Sequence, residues 1–140
     1  MKVFVDSDVI ISSLLSQSGA AYLLINTKNL GLFISNISYK ELEIVTERLG
    51  LEKQKLKELL KTKFKIIELK ESLSEIKRKY EDFVFDPNDA HIAAGAKEAK
   101  TSFLLTYNQK HFNTEKIKKH FGIITMKPAL FLQYLRSLEK

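Results

Sequence analysis

Five carboxylates stand where a short apolar run gives way to a helical pattern: Asp6 and Asp8 after Val3-Phe4-Val5, Glu41 after Leu32-Phe33-Ile34, and Asp86 and Asp89 after Phe83-Val84-Phe85. Thr106 and Asn108 hold the same place after Phe103-Leu104-Leu105. Acids gathered at one point raise one another's pKa or require a cation. A set of oxygen donors suits Mg²⁺ or Mn²⁺. Such an ion activates a water and stabilises the transition state of phosphoryl transfer. The chemistry within reach is metal-assisted cleavage of a phosphodiester.

Each acid also has a plain structural reading. Asp8 falls in a first helical turn, where negative charge complements the helix dipole. Ser38-Tyr39-Lys40-Glu41 matches the capping box S-x-x-E, which explains Glu41 without chemistry. Asp86 reads as an N-cap with Pro87 at the first helical position and Asp89 inside the first turn. Asp6 is the least explained, because an acid directly after a buried strand needs a partner. His91 lies two residues beyond Asp89 and so on a different helix face. His111 is near Asn108 and within reach of the same place, though a surface position is the expectation, and His120 suits a helix C-terminus. Patterns of zinc proteases, serine hydrolases and P-loop NTPases do not occur in the sequence.

The elements that must position these residues alternate. Strands are expected at residues 3–5, 32–34, 64–69, 102–106 and 123–125. A helix capped by Ser7 follows the first strand, with Val9, Ile10, Ile11, Leu14 and Leu15 inward. Further helices are expected over 20–27, from Ser38 to Gly50, over 51–63, 71–80, 87–100 and 114–120, with a short one capped by Asn108. A last helix from Lys127-Pro128 turns Leu130, Phe131, Tyr134, Leu135 and Leu138 inward. Short apolar strands alternating with helices imply βαβ units. The expected architecture is one α/β domain over residues 1–140, with a mainly parallel sheet covered on both faces. Ligands of such sheets bind beyond the carboxyl ends of the strands, where the strand order reverses. The acids occupy that kind of position.

Charge adds a partner class. The chain has 23 Lys and Arg against 17 Asp and Glu, a net +6, which favours a polyanion such as nucleic acid. Lysine far outnumbers arginine, so the expected contacts are to the phosphate backbone rather than to bases. The absence of cysteine excludes disulfides and thiolate zinc sites. No apolar run reaches the roughly 18 residues that span a bilayer. The N-terminus lacks a signal-peptide pattern, so no membrane association is expected and the expected location is the cytoplasm.

Four segments in order resemble the successive motifs of PIN domains: Val5-Asp6-Ser7-Asp8-Val9-Ile10-Ile11, Ile34-Ser35-Asn36 with Glu41-Leu42, Asp86-Pro87-Asn88-Asp89, and Leu105-Thr106-Tyr107-Asn108-Gln109-Lys110-His111-Phe112. Met126-Lys127-Pro128 resembles the segment before the family's final helix. The resemblance implies a three-layer α/β/α sandwich and Mg²⁺- or Mn²⁺-dependent endoribonuclease activity on an RNA substrate. It also implies the toxin half of a toxin–antitoxin pair, with an antitoxin protein and a homodimeric state. By position, Asp6, Glu41 and Asp89 match the family's first three catalytic, metal-binding acids, and Asp86 matches an often acidic neighbour. Thr106 and Asn108 match the polar pair at the fourth position, where Asn108 would orient a water. Asp8 and Asp86 would assist. The family usually places an acid at the position of Asn108 or of His111, and this chain has neither. The alternative is therefore a catalytically weak, degenerate module of the family that binds RNA or a protein.

Overall fold

In the computed structural model, which describes residues 1–139, the strands are β1 (Lys2–Val5), β2 (Gly31–Ser35), β3 (Phe64–Ile67), β4 (Phe103–Leu105) and β5 (Ile124–Met126). They form one sheet in the order β3-β2-β1-β4-β5, with every pairing parallel. The helices are α1 (Ser7–Leu15), α2 (Ala20–Ile25), α3 (Asn36–Arg48), α4 (Lys53–Lys63), α5 (Leu73–Lys79), α6 (Ala90–Glu98), α7 (Thr114–Phe121) and α8 (Pro128–Leu138). Parallel strands covered on both faces read as continuous apolar runs, and the side chains divide accordingly. Val3, Val5, Leu32, Ile34, Phe103 and Leu105 face a core completed by α1, α2, α4 and α8, with Leu42 from α3. Phe4, Phe33 and Leu104 face a second core completed by α5, α6 and α7. The result is the expected α/β/α sandwich.

One close approach ties the second helical layer to the centre of the sheet. A Cβ at Gly95 of α6 would lie 2.5 Å from Cζ of Phe4, so only glycine lets α6 settle onto β1. Phe4 is fully buried, which contributes about 1.5–3 kcal/mol. Ala90 through Ala96 are all buried. The helix that follows Asp89 is thereby pressed against the strand that leads into Asp6.

Several local expectations change, each for an identifiable reason. The cap of α1 is Asp6, not Ser7: Asp6 has extended dihedrals and its Oδ1 accepts from Ser7 N. The capping box does not form. β2 pairs with β3 through Ser35, α3 starts at once, and Ser35 Oγ accepts from Ser38 N at 3.1 Å. Glu41 therefore lies in the second turn with no cap to reciprocate. The Phe83-Phe85 segment is not a strand of the sheet. A 3-10 turn over Glu81–Phe83 leads to a single antiparallel bridge between Val84 and Phe112. Pro87–Asp89 forms another 3-10 turn, capped by Asp86 Oδ1 accepting from Asn88 N, so Asp89 becomes the N-cap residue of α6. Asn108 makes no side-chain cap. Leu130 and Leu138 of α8 are 51% and 54% exposed, because α2 and the sheet cover one side of that helix, reached by Phe131. Leu15 at the end of α1 is exposed as well.

Candidate functional site

The strand order reverses at β1, which has β2 on one side and β4 on the other. Val5 and Leu105 are register partners, and Asp6 N donates to Leu105 O at 2.9 Å. Asp6 and Thr106 therefore leave the sheet side by side at its carboxyl edge. Thr106 is fully buried and its Oγ1 donates to Asp6 Oδ2 at 2.9 Å. The same oxygen accepts from Asn108 N at 3.0 Å, which folds the loop back over the strand end. Asp8 Oδ2 accepts from Tyr107 N and from Asn108 Nδ2, each at 3.0 Å. The Asn108 amide is thus committed to Asp8, not to a water. Asp8 Oδ1 is buried without a hydrogen-bond partner among the described residues, as is Ser7 Oγ.

The pKa pattern follows from burial first and from the neighbouring charges second. Asp6 is pushed up to about 8, first by burial and then by the charge of Asp8, with a further contribution from Asp89. The bonds from Thr106 and Ser7 pull it back only in part. Burial also raises Asp8 against the opposing N–H of Tyr107, and the Asp89 charge adds to the rise. Asp89 is raised by burial and then by Asp86, while His111 and His91 act in the opposite sense. All three carboxyls are held above their usual range by burial first, with neighbouring carboxylate charge adding to the rise.

Asp89 faces a different set of partners. Its Oδ2 lies 3.0 Å from His111 Nδ1. One ligand atom each from Asp86, Asp89 and His111 falls within a 4.8 Å span, and this is the only such group of three acids or histidines among the described residues. His111 is held there by backbone. Phe85 N donates to His111 O at 2.7 Å, and Asn113 N donates to Phe83 O at 2.9 Å. Those bonds flank the Val84–Phe112 bridge, so the arm ahead of Asp86 and the arm carrying His111 run side by side. His111 thus reaches the acids while its side chain stays 38% exposed, and no local periodicity announces a pairing that joins segments so distant in sequence.

Glu41 is reached through α6. Its Oε1 lies 3.1 Å from Nε2 of the buried His91, whose Nδ1 has no partner among the described residues. At that distance the two side chains form an ion-pair contact between α3 and α6. Glu41, His91, Asn88 and Asn36 line one cavity of about 460 Å³ that also takes in Lys40 and Lys77. Beyond Asn108 a second cavity, of about 350 Å³, is lined by Tyr107, Gln109, Lys110 and Lys127. Each cavity thus carries a pair of lysines, one pair beside Glu41 and the other beside Asn108. Asp6, Asp8, Thr106 and Asn108 form one hydrogen-bonded group; Asp86, Asp89 and His111 form a second cluster by proximity, and Glu41 with His91 an ion-pair contact apart from both. Sequence reasoning missed the roles of both histidines. His91 had one legible signal, a polar residue inside a helix of otherwise small apolar ones.

This arrangement has relatives. A chain of VapBC2 from Rickettsia felis, solved bound to a DNA fragment from their promoter, is similar in fold: TM-score 0.59 and 19% identity, covering 89% of this chain and 97% of that one. A chain of a toxin–antitoxin complex from Klebsiella pneumoniae is equally similar, with TM-score 0.59 and 19% identity over 88% of this chain and 96% of that one. No curated protein sequence matches significantly. The PIN-domain family model matches residues 2–110, a span that begins in β1 and takes in Asp6, Glu41, Asp89 and Asn108. A match running through each of those junctions, on a sheet of this order, leaves one conclusion: the chain belongs to the PIN-domain family.

Proposed function

We propose that this protein is a Mg²⁺- or Mn²⁺-dependent endoribonuclease and the toxin of a toxin–antitoxin pair. PIN domains are generally nucleases. The observation that carries the reading is the set of three acids, Asp6, Asp8 and Asp89, raised together at the carboxyl edge of the sheet. The donor set fits a hard divalent ion: it is built of carboxylate oxygens, and the unpartnered Asp8 Oδ1 is a buried acceptor that a cation would satisfy. In this reading Asp6, Glu41 and Asp89 hold the ion, which when bound supplies an activated water and charge stabilisation at the scissile phosphate.

The chain's own groups do the rest. Thr106 fixes one oxygen of Asp6, and Ser7 N fixes the other. Asn108 orients Asp8, and so supports the site through a carboxylate instead of aligning a water. Asp86 fixes the turn that presents Asp89. Lys40 and Lys77 in one cavity, with Lys110 and Lys127 in the other, are placed to bind the RNA backbone, so affinity falls as salt rises. The solved relatives, one a toxin–antitoxin complex and the other VapBC2 on promoter DNA, support an antitoxin partner. A homodimer and a cytoplasmic location complete the reading; no described helix is long and apolar enough to cross a membrane.

The test is cleavage of a mixed RNA pool with Mg²⁺ or Mn²⁺ by the wild type and by Asp6→Asn. Ion-dependent cleavage by the wild type alone supports the mechanism, and equal cleavage by both proteins sinks it. A second reading, a degenerate module that binds RNA or a protein, draws on Asn108, which adds no charge and spends its amide on Asp8. Calorimetry separates the two: tight Mn²⁺ binding that is lost in Glu41→Gln argues against a purely binding role.

A further inference from the structure

Of the two positions at which the resemblance implies a further acid, one carries Asn108 and the other an imidazole, His111, and that imidazole is not idle. His111 Nδ1 stands 3.0 Å from Asp89 Oδ2, and a carboxylate oxygen of Asp86 completes a group within 4.8 Å. Two ligands in adjacent positions of an octahedral ion, with bonds of about 2.1 Å, lie about 3 Å apart, and opposed ligands about 4.2 Å apart. His111 Nδ1 and Asp89 Oδ2 thus have the separation of adjacent donors around a single ion, and an oxygen of Asp86 lies within 4.8 Å of a ligand atom of each residue.

Their placement is fixed by the backbone and not by chance rotamers. The Val84–Phe112 bridge and its two flanking hydrogen bonds hold the arm before Asp86 against the arm that begins at His111. Phe112, next to His111, is buried in the second core, so the loop cannot swing away without exposing an aromatic ring. Asp86 caps the 3-10 turn through Oδ1 bonded to Asn88 N, which sets the second arm. All three residues are half-buried, which leaves the group open to an ion from solution. Their mix of donors is selective. Carboxylate oxygens alone suit Mg²⁺, whereas imidazole nitrogen favours first-row transition-metal ions.

We infer that His111, Asp86 and Asp89 form a mixed nitrogen–oxygen site that takes a first-row transition-metal dication, Mn²⁺ or Co²⁺, in preference to Mg²⁺. This deepens the proposed function by naming the ion class: Asp89 is common to both ligand sets, with Asp6 and Glu41 in the one and Asp86 and His111 in the other, and the inference rests on that reading only in having Asp89 face a metal. It makes the imidazole a ligand that compensates for the acid missing from the fourth motif.

The experiment uses the full chain, freed of metal by chelation and loaded with Mn²⁺ alone. Pulsed electron paramagnetic resonance reads ¹⁴N coupling to the bound ion, and calorimetry reads Mn²⁺ and Mg²⁺ affinity. The wild type is expected to show a histidine nitrogen coupled to Mn²⁺ and to bind Mn²⁺ more tightly than Mg²⁺. His111→Asp, which keeps a donor but makes it oxygen, is expected to lose the nitrogen signal and to reduce the Mn²⁺-over-Mg²⁺ preference at least tenfold, since losing even a supporting partner of a ligand costs about tenfold in affinity. His111→Ala, checked for an unchanged circular dichroism spectrum, loses the signal and the affinity together. Bound Mn²⁺ without nitrogen coupling in the wild type overturns the inference, as does an unchanged ion preference in His111→Asp. Nitrogen-coupled Mn²⁺ on a protein that cleaves no RNA upholds this site and rejects the nuclease reading. Cleavage with no nitrogen signal does the reverse.

Discussion

The two sides of the acidic pocket are built by different means. On the sheet side, Asp6, Asp8, Thr106 and Asn108 follow β1 and β4 directly, and backbone amides or a fully buried threonine hold the carboxylates. On the helix side, Asp89, His111, Glu41 and His91 meet through pairs of side chains, presented by two 3-10 turns and two helices. Exposure separates their outermost groups: Asp6 is 7% exposed, while the side chains of Glu41 and His111 are 47% and 38% exposed and only His91 on that side is buried. The sheet side fixes charge where solvent cannot relieve it. The helix side supplies groups that can adjust to an incoming ion. A site that divides its labour in this way carries its electrostatic strain on one side and its adaptability on the other.

That contrast makes the largest expected effect a paradoxical one. Asp6→Asn should lower ion-dependent cleavage by about 10²–10³-fold, the scale for losing one preorganised electrostatic partner. The same substitution should stabilise the metal-free protein at neutral and alkaline pH. The folded-state pKa of Asp6, about 8, lies above the ordinary value of 3.8. Between those values the folded chain binds more protons than the unfolded one, so stability falls as pH rises through that window and is level below it. The loss by pH 8 is on the order of a few kcal/mol. Thermal melts in chelator at pH 4, 6 and 8 read it directly: the wild type weakens with pH, Asp6→Asn does so much less, and the variant melts higher at pH 8. Added Mn²⁺ should raise the wild-type melting temperature at pH 8 and raise that of the variant far less. A variant that melts lower at pH 8 would mean that the sheet side carries no such strain.

The two sides stay in register because α6 sits directly on β1. Gly95→Ala would put a methyl group into the Phe4 ring, and overpacking of this kind costs about 1–3 kcal/mol. Urea denaturation measures that loss. Mn²⁺ affinity should fall with it, because α6 carries Asp89 and His91 away from Asp6 as it lifts. Unchanged affinity in a destabilised variant would show that the two sides bind independently.

The same division explains how much of the molecule is legible in the sequence. Strands and acids that follow one another directly, such as Val5-Asp6 and Leu105-Thr106, announce themselves by apolar runs that end in a polar residue. The helix side does not, because competing local signals are resolved by distant pairing. Ser35 and Ser38 are equally good caps, and only the pairing of Ser35 with Ile67 decides between them, which frees Glu41 from a capping role. Pro87 marks a helix start correctly but cannot tell a 3-10 turn from an α-helix, so Asp89 shifts from the first turn to the cap of α6. His111 depends on one antiparallel bridge between segments far apart in the chain, for which no periodicity exists.

A smaller effect tests the rigidity of the sheet side. Thr106→Val keeps the shape but deprives Asp6 Oδ2 of its donor and Asn108 N of its acceptor. Buried groups left unsatisfied cost about 1–3 kcal/mol. The hydroxyl of Thr106 is one of the influences that lower the Asp6 pKa, so its removal should move the Asp6 titration further up, readable by carboxyl carbon NMR. Loss of stability with an unmoved titration would make Thr106 a packing residue alone.

The smallest effect falls on the helix side and separates a cap from a charge. Asp86→Ser keeps an oxygen able to accept from Asn88 N, and serine caps about as well as aspartate, so stability should stay within about 0.5 kcal/mol of the wild type. The charge is gone, however, and Asp86 is second only to burial among the causes that raise Asp89. Asp89 should therefore titrate lower in the metal-free variant. Mn²⁺ affinity should nevertheless fall, because a freed Asp89 is a better ligand but the site has lost one of its three donors. The opposed directions of those two readouts matter: a purely electrostatic neighbour would lower the Asp89 titration and leave ion binding equal or stronger. A loss near 1 kcal/mol with an unmoved Asp89 titration would reduce Asp86 to its cap, and the helix side would then present only Asp89 and His111 to an ion.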